Sequence, residues 1–230
     1  MKELFGKDAV TGIVKGIVGL LIFTCAWFWI AGRVTWLQGW IFLLTFVLYA
    51  SVLLWRVSRL DPYLIRERNL PSEKAEAWDQ LVMRIYTVVL MVLMALCALD
   101  GGRFHWSSVP VGIQLAGWGL LVLAGVVIWL VMKTNAYLSS WARLQDERGQ
   151  VVVQEGLYQR IRHPMYMGII SGFLGLPLAL GSWWGLIPAA VIVGLFIYRT
   201  FREDQMLIDG LAGYLEYTKK VKYRLLPGIW

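Results

Sequence analysis

Arg160, Arg162, His163 and Tyr166 fall within one short stretch, directly before an apolar run over residues 165–180. Pro164 suits the first turn of a helix, where its missing N–H costs nothing, so Arg162 and His163 should stand just before a helix N-terminus. Unpaired backbone donors collect at such an end, and with arginines beside them they favour an anionic group. The plainer reading is that Arg160 and Arg162 anchor a loop on the basic side of a membrane. Two more polar pieces carry functional groups: the 133–162 segment, with Asn135, Ser139, Arg143, Asp146 and Glu147, and the stretch from Arg199, with Glu203 and Asp204. No Walker A loop, dinucleotide fingerprint after a strand or nucleophile elbow occurs, so kinase, Rossmann and serine hydrolase chemistries lose their usual support. Cys25 and Cys97 each sit inside an apolar run without C-x-x-C spacing, and His105 has no partner at ligand spacing. No metal site is expected.

The elements that must position these groups are membrane helices. The chain has 230 residues, 58% hydrophobic, with 13 Trp, and a mean hydropathy of +0.60, which is too apolar for a soluble domain of this length. Apolar runs at 13–31, 36–55, 81–99, 109–132, 165–180 and 184–198 predict an all-α, polytopic protein with about six transmembrane helices. The first run lacks a small-residue cleavage site and reads as a retained anchor. The last two, separated by Gly181-Ser182-Trp183, predict a tight C-terminal hairpin, short for full spans and with room to bend. Gly168 and Gly172 have the spacing for close helix packing. The formal charge of +7 suggests nucleic acid only until the basic residues are placed. Arg33 and Arg103 fall on one side and the remaining Lys and Arg on the other, which predicts six crossings with both termini cytoplasmic. Residues 56–80 are expected as a solvated loop, with Asp100-Gly101-Gly102 ending the third span. The hairpin should return Arg162, His163 and Tyr166 to the side of Glu203 and Asp204. No compositional break divides the chain, so 1–230 reads as a single integral membrane domain, with 133–230 as its functional portion.

At these residues the chain resembles the isoprenylcysteine carboxyl methyltransferase family, including its bacterial and archaeal membrane members. The resemblance runs from Asn135 through Ser139, Asp146-Glu147-Arg148-Gly149 and Gly156-x-Tyr158 to Arg162-His163-Pro164-x-Tyr166-x-Gly168. It resumes at Glu203-Asp204-x-x-Leu207, Tyr214-x-x-Tyr217 and Tyr223-Arg224-Leu225-Leu226-Pro227-Gly228, with a weaker likeness in Asp61-Pro62-Tyr63-Leu64-Ile65-Arg66-Glu67-Arg68. It implies S-adenosyl-L-methionine bound near the cytoplasmic face and methyl transfer to a lipid-like or prenylcysteine carboxylate reached partly from the bilayer. It also implies a bacterial inner membrane as the location. Two positions depart from the family pattern: Leu157 stands where proline is common, and Asp204 stands where the family has a second glutamate.

A carboxylate acceptor is already ionised at neutral pH, so methyl transfer needs no general base. The protein would position the reactants and exclude water. On this reading Arg162 and Arg224 are the candidates for holding the anionic group. Tyr158, His163, Pro164, Tyr166, Glu203 and Asp204 are the candidates for the cofactor pocket, with Asp204 the lesser contributor because its arm is shorter. An exposed helix-surface pair between Glu203 and Arg199 is the structural alternative for Glu203. Two rival functions stand beside this one: an NADPH-dependent membrane reductase of related architecture, and a non-enzymatic scaffold or carrier. A carrier is expected to place ionisable groups at mid-membrane, where these spans have almost none.

Overall fold

The computed structural model describes residues 7–60 and 75–230. The Asp61 to Arg68 likeness and most of the expected 56–80 loop lie outside these described residues. Seven α-helices order the rest: α1 (Lys7–Ala31), α2 (Leu37–Leu60), α3 (Ala77–Cys97), α4 (Val111–Thr134), α5 (Pro164–Ala179), α6 (Leu186–Gly210) and α7 (Tyr214–Lys220). There is no strand among the described residues, so the all-α expectation holds. Three helical stretches, Val14–Ala31, Ala77–Phe104 and Val111–Thr134, are long and apolar enough to cross a bilayer, while Leu37–Leu53 and Pro164–Ala179 are apolar but shorter. Six crossings are therefore more than length and hydropathy alone identify.

Three boundaries differ from the sequence expectation. α3 begins at Ala77, so the last part of the expected loop is helical and Asp79 is fully buried. The Asp100-Gly101-Gly102 stop does not end the third helix: the chain widens into a π-helical turn over Ala98–Phe104 and stops at His105, which adopts a left-handed conformation. Asp100 is the reason, because its buried carboxylate accepts hydrogen bonds from Ser107 N and Ser107 Oγ and from Ser182 Oγ at 2.6 Å. That ties the end of α3 to the α5–α6 turn. Finally, α6 does not stop near Tyr198 but runs on to Gly210, carrying Glu203 and Asp204 on continuous helix.

Glycines bring α4 and α5 together. A Cβ at Gly175 would lie 2.6 Å from the Gly117 carbonyl oxygen, and one at Gly117 2.8 Å from that of Gly175, so the two backbones meet directly. Further along the seam Gly168 faces Val127, and Gly172 faces Ala124. The small residues therefore serve packing. On the other side α5 meets α6, and Tyr86, Phe173 and Phe196 meet edge-on or stacked between α3, α5 and α6. α1 is held through Trp27, whose indole N–H donates to the Met94 carbonyl at 2.9 Å and whose rings contact Trp36 and Phe42.

Candidate active site

Pro164 is the first residue of α5 and His163 its N-cap, as the sequence predicts. The residues just before it are held by the C-terminal segment: Arg162 N donates to Tyr223 O and His163 N to Arg224 O, both at 2.9 Å. These contacts use two polar groups at a helix start that would otherwise be unpaired.

The anion held at this basic turn is the protein's own Asp204. Arg162 grips it with both arms of its fork, Nε to Oδ1 at 2.8 Å and Nη2 to Oδ2 at 2.7 Å, while Nη1 reaches the carbonyls of Val221 and Lys222. Arg224 Nε donates to Oδ2 at 2.8 Å and the Tyr214 hydroxyl to Oδ1 at 3.0 Å, with His163 Nε2 3.1 Å from Oδ1. Asp204 is fully buried. Burial alone would raise its carboxyl, but the hydrogen bonds from Arg162, His163 and Arg224 outweigh it and hold the group well below the usual carboxylate range. The shorter carboxylate is the hub joining α5, α6 and the C-terminal segment.

Glu203, one position earlier, points elsewhere, because successive helical residues are turned by about 100°. It accepts a hydrogen bond from the Tyr166 hydroxyl and lies 4.0 Å from His163 Nδ1, with its side chain 23% exposed. The His163 and Tyr166 rings stack at 5.8 Å. The expected pairing of Glu203 with Arg199 is replaced by a longer-range one: Arg199 Nε sits 2.8 Å from Asp79 Oδ1, and its guanidinium lies over the Tyr166 ring. Arg199 Nη2 also donates to Ser140 O, and Ala142 N donates to Asp79 Oδ2, so the pair fixes the loop that follows α4. The charge pattern of residues 56–80 places Asp79 in a solvated loop, whereas the helix begins before it and buries it. An acidic residue so close to an apolar run was the signal available.

Tyr158 is buried beside this cluster, receiving Asn135 Nδ2 on its hydroxyl at 2.7 Å and Tyr217 OH on its carbonyl at 2.6 Å. Burial pushes the Tyr158 phenol well above its ordinary value, so the hydroxyl stays protonated. A cavity of about 1270 Å³ opens here and is lined by Tyr158, Arg162, His163, Tyr166 and Glu203. Pro164, Asp204 and Arg224 do not line it; Arg224 instead packs over Phe201 and Trp230. From the polar end the cavity continues between the helices past Phe196 and Trp129 to Phe42 and Trp118. One end offers a carboxylate, an imidazole and phenols, and the rest is apolar. No group of three or more His, Cys, Asp or Glu suited to a metal ion occurs among the described residues.

The helices set a polar pocket at one end of an apolar cavity, and the sequence that builds them is similar to known methyltransferases. The family model described as phospholipid methyltransferase matches residues 113–211, which take in α4 from its third residue, the loop that follows it, α5 and α6. The chain is also similar to the protein-S-isoprenylcysteine O-methyltransferase of Schizosaccharomyces pombe, 18% identical over 164 residues, which cover 63% of this chain and 70% of that one. Both matches agree with the motif resemblance and support methyltransferase activity. The matches favour methyl transfer over the reductase or carrier alternatives.

Proposed function

We propose that the protein is an S-adenosyl-L-methionine-dependent methyltransferase acting on a carboxylate of a lipid-like or prenylcysteine acceptor at the membrane surface. The observation that carries this reading is the continuity of the cavity from Glu203 and His163 to apolar walls deep between the helices. A single space can thus receive a polar cofactor and an apolar chain.

The donor set fits the cofactor's chemistry. Glu203 has carboxylate capacity beyond its bond from Tyr166 and is partly open to the cavity, which suits an ammonium or ribose hydroxyls. The Tyr158 and Tyr166 rings and the His163 imidazole would flank it. The bound cofactor would supply an electrophilic methyl group. The protein's part is to orient the acceptor carboxylate and keep water out, since the nucleophile needs no deprotonation. Arg162 and Arg224 act in this reading through Asp204: with Arg162 held by Asp204 and two backbone carbonyls, its role is to position His163 and the start of α5. We assign residues 133–230 as the cofactor-binding and catalytic portion of one integral membrane domain. The asymmetry of Arg33 and Arg103 against the many cations at the site's end supports six crossings with a cytoplasmic site, and the family resemblance supports a bacterial inner membrane.

Purified protein incubated with radiolabelled S-adenosyl-L-methionine, prenylcysteine analogues and lipid extract is the direct test. Base-labile label in an organic-soluble product is expected from a methyl ester. Label transfer to none of these acceptors, by protein that remains folded, would overturn the reading.

A further inference from the structure

Far from the polar end, the cavity is crossed by a hydrogen bond between two helices. Tyr49 of α2 donates its hydroxyl to the Gly125 carbonyl of α4 at 3.0 Å. A Cβ at Gly125 would stand 3.3 Å from the Tyr49 ring, so the ring lies directly on the bare α4 backbone. With a helical rise of about 1.5 Å per residue, Gly125 is about 14 Å along α4 from its end at Thr134, near the site. The polar groups and this bond therefore stand at different depths of one cavity.

The surroundings explain what the bond spans. Phe46 and Val52, on either side of Tyr49, and Val122 and Val126, on either side of Gly125, all line the cavity and are all exposed. Tyr49 and Gly125 thus sit at the seam between α2 and α4, at a depth where both helices are apolar. Tyr49 bridges that seam. Along α4, Trp129 lies on the site's side of Gly125 and Trp118 on the other, and along α2 Phe42 lies on that same far side of Tyr49. All line one cavity, whose part on the Trp129 side of the ring is its first compartment and whose part beyond the ring is its second.

Resting on the methyl-transfer reading above, we propose that Tyr49 is a specificity-determining residue that sets the length of apolar chain the acceptor carries. A chain that ends before the ring fits the first compartment. A longer chain must displace the phenol to reach the second compartment or turn out through the seam into the bilayer. The hydroxyl tether to the Gly125 carbonyl holds the ring in the path. Gly125 lets the tether form by leaving the α4 backbone uncovered.

The test compares wild type, Tyr49→Phe and Tyr49→Ala on N-acetylcysteine thioethers bearing geranyl, farnesyl and geranylgeranyl chains, with kcat/KM measured for each. Tyr49→Ala is expected to raise the geranylgeranyl-to-geranyl ratio of kcat/KM by at least about tenfold, the scale on which apolar pockets discriminate chain size. Tyr49→Phe, which keeps the ring and loses the tether, should shift the ratio in the same direction by less. An unchanged ratio in both variants overturns the proposal. So does a uniform loss across the three acceptors, which would make Tyr49 a support for helix packing alone. If wild type methylates none of the three, the prenylcysteine form of the acceptor reading fails and takes this inference with it, while label transfer to lipid extract would keep the methyltransferase reading itself.

Discussion

Replacing Asp204 with asparagine should be the most damaging conservative change in the polar cluster. The carboxylate is fully buried and accepts from Arg162, Arg224 and Tyr214. Asparagine preserves the shape but removes the charge, and it turns an N–H₂ toward groups that are themselves donors. Removing one partner of a buried ion pair costs about 3 to 5 kcal/mol, because the surviving charge is left uncompensated. Arg162 keeps its bonds to Val221 and Lys222, and the Arg224 side chain is 22% exposed and can rehydrate. These place the loss near the lower bound, about 3 kcal/mol. For a chain of this size that is a fall in Tm on the order of 10 °C. The damage should be local first: the C-terminal segment, docked through Arg162 and Arg224, should open to trypsin at Lys219, Lys220 and Lys222 before the bundle unfolds. The pH dependence has a definite sign. The folded carboxyl is held low, so as pH falls below about 3.9 the unfolded chain takes up its proton first. The stabilisation is complete above that pH and declines below it. The gap between wild type and Asp204→Asn should stay flat from neutral pH to about pH 5 and narrow only below about pH 4. Thermal melts in detergent with limited proteolysis test this. A variant that melts with wild type and protects its C-terminal segment equally would refute the hub.

Glu203→Gln should behave in the opposite way: little change in Tm, because the side chain is partly exposed, but roughly tenfold or more weaker S-adenosyl-L-methionine binding by calorimetric titration, from loss of a charged acceptor. Unchanged affinity would remove Glu203 from the cofactor site. Gly175→Ala should destabilise by about 1 to 3 kcal/mol, since its methyl group would meet the Gly117 backbone oxygen, and Gly172→Ala by less, since it meets only the Ala124 methyl at 3.3 Å; equal melting temperatures would contradict this seam. Single cysteines at positions 66, 148 and 220 should label from one face of the membrane and one at position 105 from the other. External labelling at position 148 would break the topology.

Local chemistry made much of the site legible in the sequence. Pro164 announced the start of α5, because only a first-turn position tolerates its missing N–H. The apolar runs set the membrane helices, because every backbone group in lipid must be paired within its own segment. The short Gly181-Ser182-Trp183 connection was enough to return Glu203 and Asp204 to the level of His163. What remained invisible depended on partners distant in sequence. Nothing near Asp204 distinguishes it from Glu203; which of the two is buried follows from the direction each faces on α6 and from Arg162, Tyr214 and Arg224 converging on one of them. Arg199 had a carboxylate four residues away, yet pairs with Asp79 on another helix, because burial between α3 and α6 rewards the partner that can be desolvated with it. Asp100 turned an expected helix stop into a π-helical turn by reaching Ser107 and Ser182. Helix positions and the side of the membrane come from short-range periodicity and charge, which a sequence carries openly. Which buried charges meet is set by the packing of helices, and only the tertiary structure decides it.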